Sequence, residues 1–206
     1  MPVEGGVGPG LDCAVVPTRH EGLSLVSTID FFYPLVLDPY IQGKIGCANV
    51  LSDLYAMGMY HCDNMLMVLA ASDDMEPEHR SICTQEMIRG FADQAKEAET
   101  IITGGQTVLN PWPIIGGVAQ VVEKATDIIM PEHLQAGDVM VLTKPLGTQL
   151  AVNLAEWLRD AKQRPHNNRY LKVAGLISPE DSVKAYKTAE RSMARLNRTG
   201  AKLMHK

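Results

Sequence analysis

Cys13-Ala14-Val15-Val16-Pro17-Thr18-Arg19-His20-Glu21-Gly22-Leu23-Ser24-Leu25-Val26-Ser27-Thr28-Ile29-Asp30 is the run that decides the fold class. Two apolar segments rich in β-formers, residues 13–17 and 23–30, flank the polar run 18–22, which reads as a turn. The chain therefore opens on a hairpin, with antiparallel strands. Further along, Ile41, Ile45, Ala48 and Tyr55 recur at helical intervals and predict a helix over 39–57, with Gly58 as its stop. Residues 64–71 form a nearly continuous apolar run of strand length. A second helix is expected over 76–99, with Ile82, Ile88, Phe91, Ala95 and Ala98 on one face. A short strand over 100–103 is expected to end in a turn at Gly104-Gly105, and another strand over 113–124 carries Gly116 and Gly117, which suggest a bulge or a close backbone approach. Strands alternate with helices, but the antiparallel opening favours α+β over a doubly wound parallel sheet.

Residues 126–138 contain Pro131 and Gly137 without a clear period, and a domain boundary is placed there, dividing 1–130 from 131–206. Beyond it we expect a strand over 139–143, a turn at Pro145-Leu146-Gly147, a helix over 149–161, and a last helix from Pro179 toward Ala201. Residues 1–10, rich in Gly and Pro, read as mobile.

The 206 residues are 46% hydrophobic, enough for a real core, and carry a formal charge of −5. An acidic chain has no general attraction for DNA, RNA or an anionic membrane surface, so any phosphate must be held by a local site or by metal ions. No apolar run reaches the ~18 residues of a membrane span, and no signal peptide precedes residue 10. The four cysteines, Cys13, Cys47, Cys62 and Cys83, include no C-x-x-C pair and read as free thiols in a reducing, cytoplasmic compartment.

Three acids stand beside glycine or small polar residues: Asp12, Asp30 and Asp53. With the hairpin turn centred near Glu21, Asp12 lies opposite Asp30, where Cβ atoms are ~5 Å apart. Like charges that close call for a cation, and Mg²⁺ prefers carboxylate oxygens and phosphates. The same two acids also read as strand-end residues facing water. Asn49 precedes Asp53 by one helical turn, so both share a face, as a ligand pair or as an ordinary polar pair. Thr103-Gly104-Gly105-Gln106-Thr107 offers backbone that a phosphate can approach, or is a simple turn; it is no Walker motif. Lys187, Arg191, Arg195, Arg198 and Lys202 would form a basic stripe on the last helix, read first as a solvated face and only distantly as an RNA contact.

The wording of several segments resembles one family. Thr28-Ile29-Asp30-Phe31-Phe32-Tyr33-Pro34, Asp38-Pro39-Tyr40, the run Cys47-Ala48-Asn49-Val50-Leu51-Ser52-Asp53-Leu54-Tyr55-Ala56-Met57-Gly58, Thr103-Gly104-Gly105-Gln106-Thr107 with Asn110-Pro111-Trp112, Leu142-Thr143-Lys144-Pro145-Leu146-Gly147 and Met193-Ala194-Arg195-Leu196-Asn197-Arg198 are similar to segments of selenophosphate synthetases (selenide, water dikinases), closest to the eukaryotic branch. The resemblance covers nearly the whole chain. It implies the aminoimidazole-ribonucleotide-synthetase-like fold, with a mixed, largely antiparallel sheet and helices on one face, followed by the start of a second α+β domain. It implies conversion of ATP, selenide and water to selenophosphate, AMP and phosphate, in a homodimer that pairs through strands of the N-terminal domains. On this resemblance Asp12, Asp30 and Asp53 hold Mg²⁺, Gly10, Leu11, Thr28, Gly104, Gly105, Gln106 and Thr107 contact ATP, and Asn49 lies beside the metals.

Two departures bear on activity. The family's N-terminal loop with a cysteine or selenocysteine and a lysine would precede Gly10-Leu11-Asp12, and its Asp-x-Thr-Gly-Phe-Gly segment would follow the last helix; neither is in this sequence. The expectation is a chain truncated at both ends and inactive by itself. A non-catalytic nucleotide-binding paralogue is the alternative, and the residue at the missing nucleophile position decides between the two. A purine or thiamine-precursor synthetase fits the Asp-aromatic-aromatic and Gly-Gly-Gln-Thr wording less well.

Overall fold

Period-two burial along Leu23–Phe32 sets Ser24, Val26 and Thr28 inward and leaves Ile29 and Phe31 on the opposite face. The computed structural model describes residues 11–130, 134–163 and 169–206; the readings placed on residues 1–10 lie outside them, and the expected division after residue 130 falls at the edge of a described segment. The elements are β1 (Ala14–Pro17), β2 (Leu23–Phe32), α1 (Pro39–Ala56), β3 (Asn64–Ser72), α2 (Pro77–Glu97), β4 (Ile102–Asn110), β5 (Ile114–Lys124), α3 (Thr148–Gln163), α4 (Pro179–Ala194) and α5 (Arg198–Leu203), with short 3-10 turns at Ala125–Asp127 and Tyr170–Lys172. Strands β1–β5 form one five-stranded sheet in the order β1-β2-β5-β3-β4, antiparallel at every pairing except β3 with β4. The expected α+β class, with a largely antiparallel mixed sheet, is what the chain adopts.

Helices α1 and α2 cover one face of this sheet. Asp38 caps α1, its carboxylate accepting the Ile41 amide at 3.1 Å, and Pro39 occupies the first helical turn, where a missing N–H costs nothing. The two helices approach so closely at Gly43 and Gly90 that a Cβ on Gly90 would lie 1.9 Å from the Tyr40 carbonyl oxygen. Below them Val50, Leu51, Leu54, Leu69, Phe91 and Ile115 are fully or almost fully buried. The other face of the sheet is apolar as well: Ile29 is 62% exposed, Phe31 52%, Val108 49% and Val122 45%. A one-sided antiparallel sheet normally turns polar residues to water.

Several expectations need correction. The hairpin forms, but Ala14 pairs with Ser27, one residue away from the register that would set Asp12 opposite Asp30, and the ladder starts only at Ala14. Its turn is fixed by the Thr18 amide donating to the Leu23 carbonyl at 2.9 Å and by Gly22 at φ 77°. Gly104-Gly105 is no turn: it lies inside β4, pairing parallel with Leu66 and Met67 past an irregularity that skips a residue after Ile102. Gly105 has φ 149° and sits so near the Met67 carbonyl that a Cβ would approach to 1.9 Å, so the glycine serves backbone approach within the sheet. Gly116 and Gly117 likewise mark close approach, in the strand between β2 and β3.

The chain divides into two compact units, one running to Val141 and including Leu196–Lys206, the other Leu142–Arg195. In the second, α3 packs against α4, and Val152, Leu154, Tyr186 and Ala189 are buried. The strand expected over 139–143 does not form: Val139, Met140 and Val141 are 85%, 84% and 77% exposed, and no described strand runs beside them to take up their backbone groups. The last helix is also broken. Arg195 turns to an extended conformation at ψ 131°, and α5 starts afresh at Arg198. The basic stripe therefore does not exist as one face: Arg198 is only 9% exposed and ion-paired to Glu99, and Lys187 pairs with Glu190 at 2.7 Å.

Candidate functional site

Strand β2 and helix α1 run antiparallel across each other, and their facing side chains meet in two steps. Thr28, on the inward side of β2, donates its hydroxyl to the Asp53 carboxylate at 2.6 Å. Two residues further, Asp30 accepts the Asn49 side-chain amide at 2.5 Å. Thr28 and Asp30 share a face because strand side chains alternate, and Asn49 and Asp53 share one because they are a helical turn apart. The periods of the two elements thus bring four of the expected site residues together.

Asp53 is electrostatically burdened. Burial pushes its proton affinity up, the Thr28 hydroxyl opposes that, and the nearby Asp12 and Asp30 carboxylates push it up further. It also lies in the last turn of α1, which has no basic residue and where the carbonyl ends disfavour a negative charge. Exposed Asp12 acts on Asp53 through its charge and precedes buried Cys13, whose thiol is pushed up to about 12 by burial, then by Asp53 and Asp12. Cys13 therefore stays a neutral thiol. Leu11 turns its side chain to the core. Gly10 lies outside the described residues.

The remaining expected residues are elsewhere. Gly104, Gly105, Gln106 and Thr107 sit on β4, an edge strand separated from β2 by β5 and β3. At ~4.8 Å per strand that is roughly 14 Å away. Within one chain the sheet order keeps this segment apart from the acids.

The donor set around Asp53 is all oxygen: three carboxylates, the Asn49 amide and the Thr28 hydroxyl. That chemistry suits a hard cation. Among the described residues no group of three or more His, Cys, Asp or Glu side chains is arranged to hold a metal ion. Mg²⁺ does not need one, since it is commonly held by one or two carboxylates and completes its shell with water and phosphate oxygens. The crowded, half-buried Asp53 is a carboxylate that a bridging cation would relieve, so the residues fit Mg²⁺ bound with a nucleotide.

Ser52 and Asn197 lie in segments that resemble the family, but nothing in their sequence spacing assigns either a role. The Asn197 side-chain amide donates to the Ser52 hydroxyl at 2.9 Å, next to Asp53, across 145 residues of chain. Local periodicity carries no signal for such a pair.

Residues 10–121 match the model of the AIR synthase related protein, N-terminal domain. The chain is similar to selenide, water dikinase 2 of Homo sapiens, with 56% identity over 97% of this chain and 43% of that protein. It is also similar to selenide, water dikinase of Leishmania major, with 54% identity over 96% of this chain and 50% of that protein. The chain thus spans about half the length of these curated relatives. Among solved structures, the thiamine monophosphate kinase of Aquifex aeolicus superposes with a TM-score of 0.63 at 14% identity, over 95% of this chain and 58% of that one, a likeness of fold.

Proposed function

We propose that this chain, which belongs to the AIR synthase related family, is the ATP- and Mg²⁺-binding portion of a selenide, water dikinase, the activity by which its half-identical relatives are named. The observation that carries the reading is the pairing of Thr28 with Asp53 and of Asn49 with Asp30, beside Asp12. Asp12, Asp30 and Asp53 hold Mg²⁺, while Asn49 and Thr28 fix two of the carboxylates. When bound, the cation neutralises the triphosphate, which this cluster of carboxylates would otherwise repel. Positioning and charge neutralisation dominate phosphoryl transfer, so the part played by these residues is to fix the nucleotide for attack by selenide.

The apolar outer face of the sheet and the exposed edge β4 support a homodimer. Ile29, Phe31 and Val122 form a surface suited to a second copy of itself, and a partner's β4 would bring Gly104–Thr107 to a nucleotide that its own chain's acids hold. On this reading residues 1–130 serve ATP, metal and dimerisation, and 131–206 open a second domain. Four free cysteines suit a reducing cytoplasm, and no described helix is long and apolar enough to cross a membrane.

The test is calorimetric binding of ATP to this chain with and without Mg²⁺. We expect Mg²⁺-dependent binding in the wild type and its loss in Asp12→Asn and Asp53→Asn. Binding that ignores both the metal and the substitutions would sink the assignment.

A further inference from the structure

The motif around Leu196-Asn197-Arg198 is left without a role by the site as described, yet its side chains converge on one place. The segment Leu196–Lys206 belongs to the first unit, although the second unit separates it in sequence from the rest. There Asn197 donates to Ser52, and Arg198 donates through Nε to the Tyr60 carbonyl at 3.0 Å and ion-pairs with Glu99. The His205 ring bonds the Gly58 carbonyl at 2.7 Å. Leu196 packs against the core and Ala201 is 2% exposed. Ser52, Gly58 and Tyr60 bracket the C-terminal turn of α1, and Asp53 is inside that bracket.

A helix end is where a helix frays, because its last carbonyls have no intrahelical partner. Asp53 sits in that last turn, against the helix dipole and beside two other carboxylates. The Thr28 hydroxyl holds Asp53 from the strand side, and the Met57, Gly58 and Met59 amides take up the Leu54 and Tyr55 carbonyls. The neighbouring carboxylates and the helix dipole work against the charge there, so the Asn197–Ser52 bond adds to a turn under opposing forces. A ligand on a helical turn that opens is presented only part of the time, and affinity falls by that fraction, so a contact that keeps the turn closed raises affinity.

We propose that Asn197 is a positioning residue for the metal–nucleotide site. Its side-chain amide holds Ser52 and thereby the turn of α1 that presents Asp53. The segment carrying it is an outer support for a ligand that the N-terminal residues supply. This rests on Asp53 being a ligand of the metal–nucleotide complex. It goes beyond that reading by placing part of the site's geometry under the control of a residue far along the chain.

The test uses Mn²⁺ as a paramagnetic stand-in, titrated with ATP into the whole chain and read by electron paramagnetic resonance, alongside thermal unfolding. Loss of a supporting contact behind a metal ligand typically weakens binding by about 10–100-fold. We expect Asn197→Ala and Ser52→Ala each to weaken Mn²⁺-ATP binding roughly tenfold at a temperature where both remain folded. The double variant should be no weaker than either single one, because one bond is being removed. Asn197→Leu, similar in size but with neither donor nor acceptor, should behave like Asn197→Ala. Single variants that bind as the wild type while Asp53→Asn does not would overturn the proposal and leave the site standing. So would losses that multiply in the double variant. Should Asn197→Ala fail to fold, Ser52→Ala decides, and unchanged affinity in that variant overturns the role. If Asp53→Asn itself binds as the wild type, the site reading falls and takes this inference with it.

Discussion

The Thr28 hydroxyl and the Asp53 carboxylate, one on β2 and one on α1, are 2.6 Å apart, and this bond is the only influence among those acting on Asp53 that favours its ionised form. Thr28 is 6% exposed, so Thr28→Val preserves shape and removes only the donor. A hydrogen bond to a charged group contributes about 1.5–3 kcal/mol, so Thr28→Val should lower the unfolding temperature. It should also raise the Asp53 proton affinity further. Mg²⁺ binds the deprotonated carboxylate, so nucleotide binding is lost as pH falls through the Asp53 pKa, and in Thr28→Val that loss should start at a higher pH. A pH series of Mg²⁺-dependent ATP affinity checks both the sign and the shift.

Asp53 also predicts a pH dependence of stability. Its folded pKa is raised above the ordinary carboxylate value, so its contribution is fully present at low pH and is lost as pH rises through the folded pKa. Without metal, Asp53→Asn should therefore unfold at a higher temperature than the wild type near neutrality, and the difference should shrink as pH falls into the carboxylate range. Added Mg²⁺ and ATP should stabilise the wild type and not the variant. Thermal melts across pH, with and without Mg²⁺-ATP, measure all three.

Glu99 behaves in the opposite sense. The Arg198 guanidinium holds its carboxyl down at about 2, below its ordinary 4.5. The stability from this pair is complete above about pH 4.5 and is lost as pH falls toward about 2. Glu99→Gln should flatten that acid limb. Because Glu99 is at the surface, the effect should shrink with added salt. Acid titration followed by circular dichroism at low and high ionic strength tests it.

Gly90→Ala is expected to destabilise, against helix propensity, which favours alanine by about 1 kcal/mol. The added methyl would meet the Tyr40 carbonyl of α1 at 1.9 Å, so the helices must move apart over the core. Overpacking of this kind costs about 1–3 kcal/mol. A rise in unfolding temperature would show that the crossing is looser than described.

Phe31→Asp places a charge on the exposed apolar face without touching the core, since Phe31 is 52% exposed on the side away from α1. If that face joins two copies, the variant should sediment as a monomer at concentrations where the wild type is a dimer, with little change in helix content. Identical sedimentation of the two would remove this face as the interface.

Local order determined much of this molecule. The β-rich composition of residues 23–30 and the helical spacing from Ile41 to Tyr55 lie in the sequence, because strand backbone favours such residues and burying one helical face imposes a period on it. The helical period also places Asn49 with Asp53 on one face, whereas the sharing of a face by Thr28 and Asp30 emerges from the folded strand. Where the reading failed, a partner distant in sequence was decisive. Gly104-Gly105 looks like punctuation, yet the Met67 carbonyl beside it makes it a strand. Residues 139–143 have strand composition and no neighbouring strand among those described. The helix from Pro179 stops at Ala194, and beyond it Asn197 and Arg198 bond to Ser52, Tyr60 and Glu99. The sequence by itself settled the fold class and the shared face of Asn49 and Asp53; tertiary structure alone settled the hairpin register, the strand neighbours, the exposure of Ile82 and Ile88 that were expected on the buried face of α2, and the return of Leu196–Lys206 to α1, because spacing along one element does not say what lies against it.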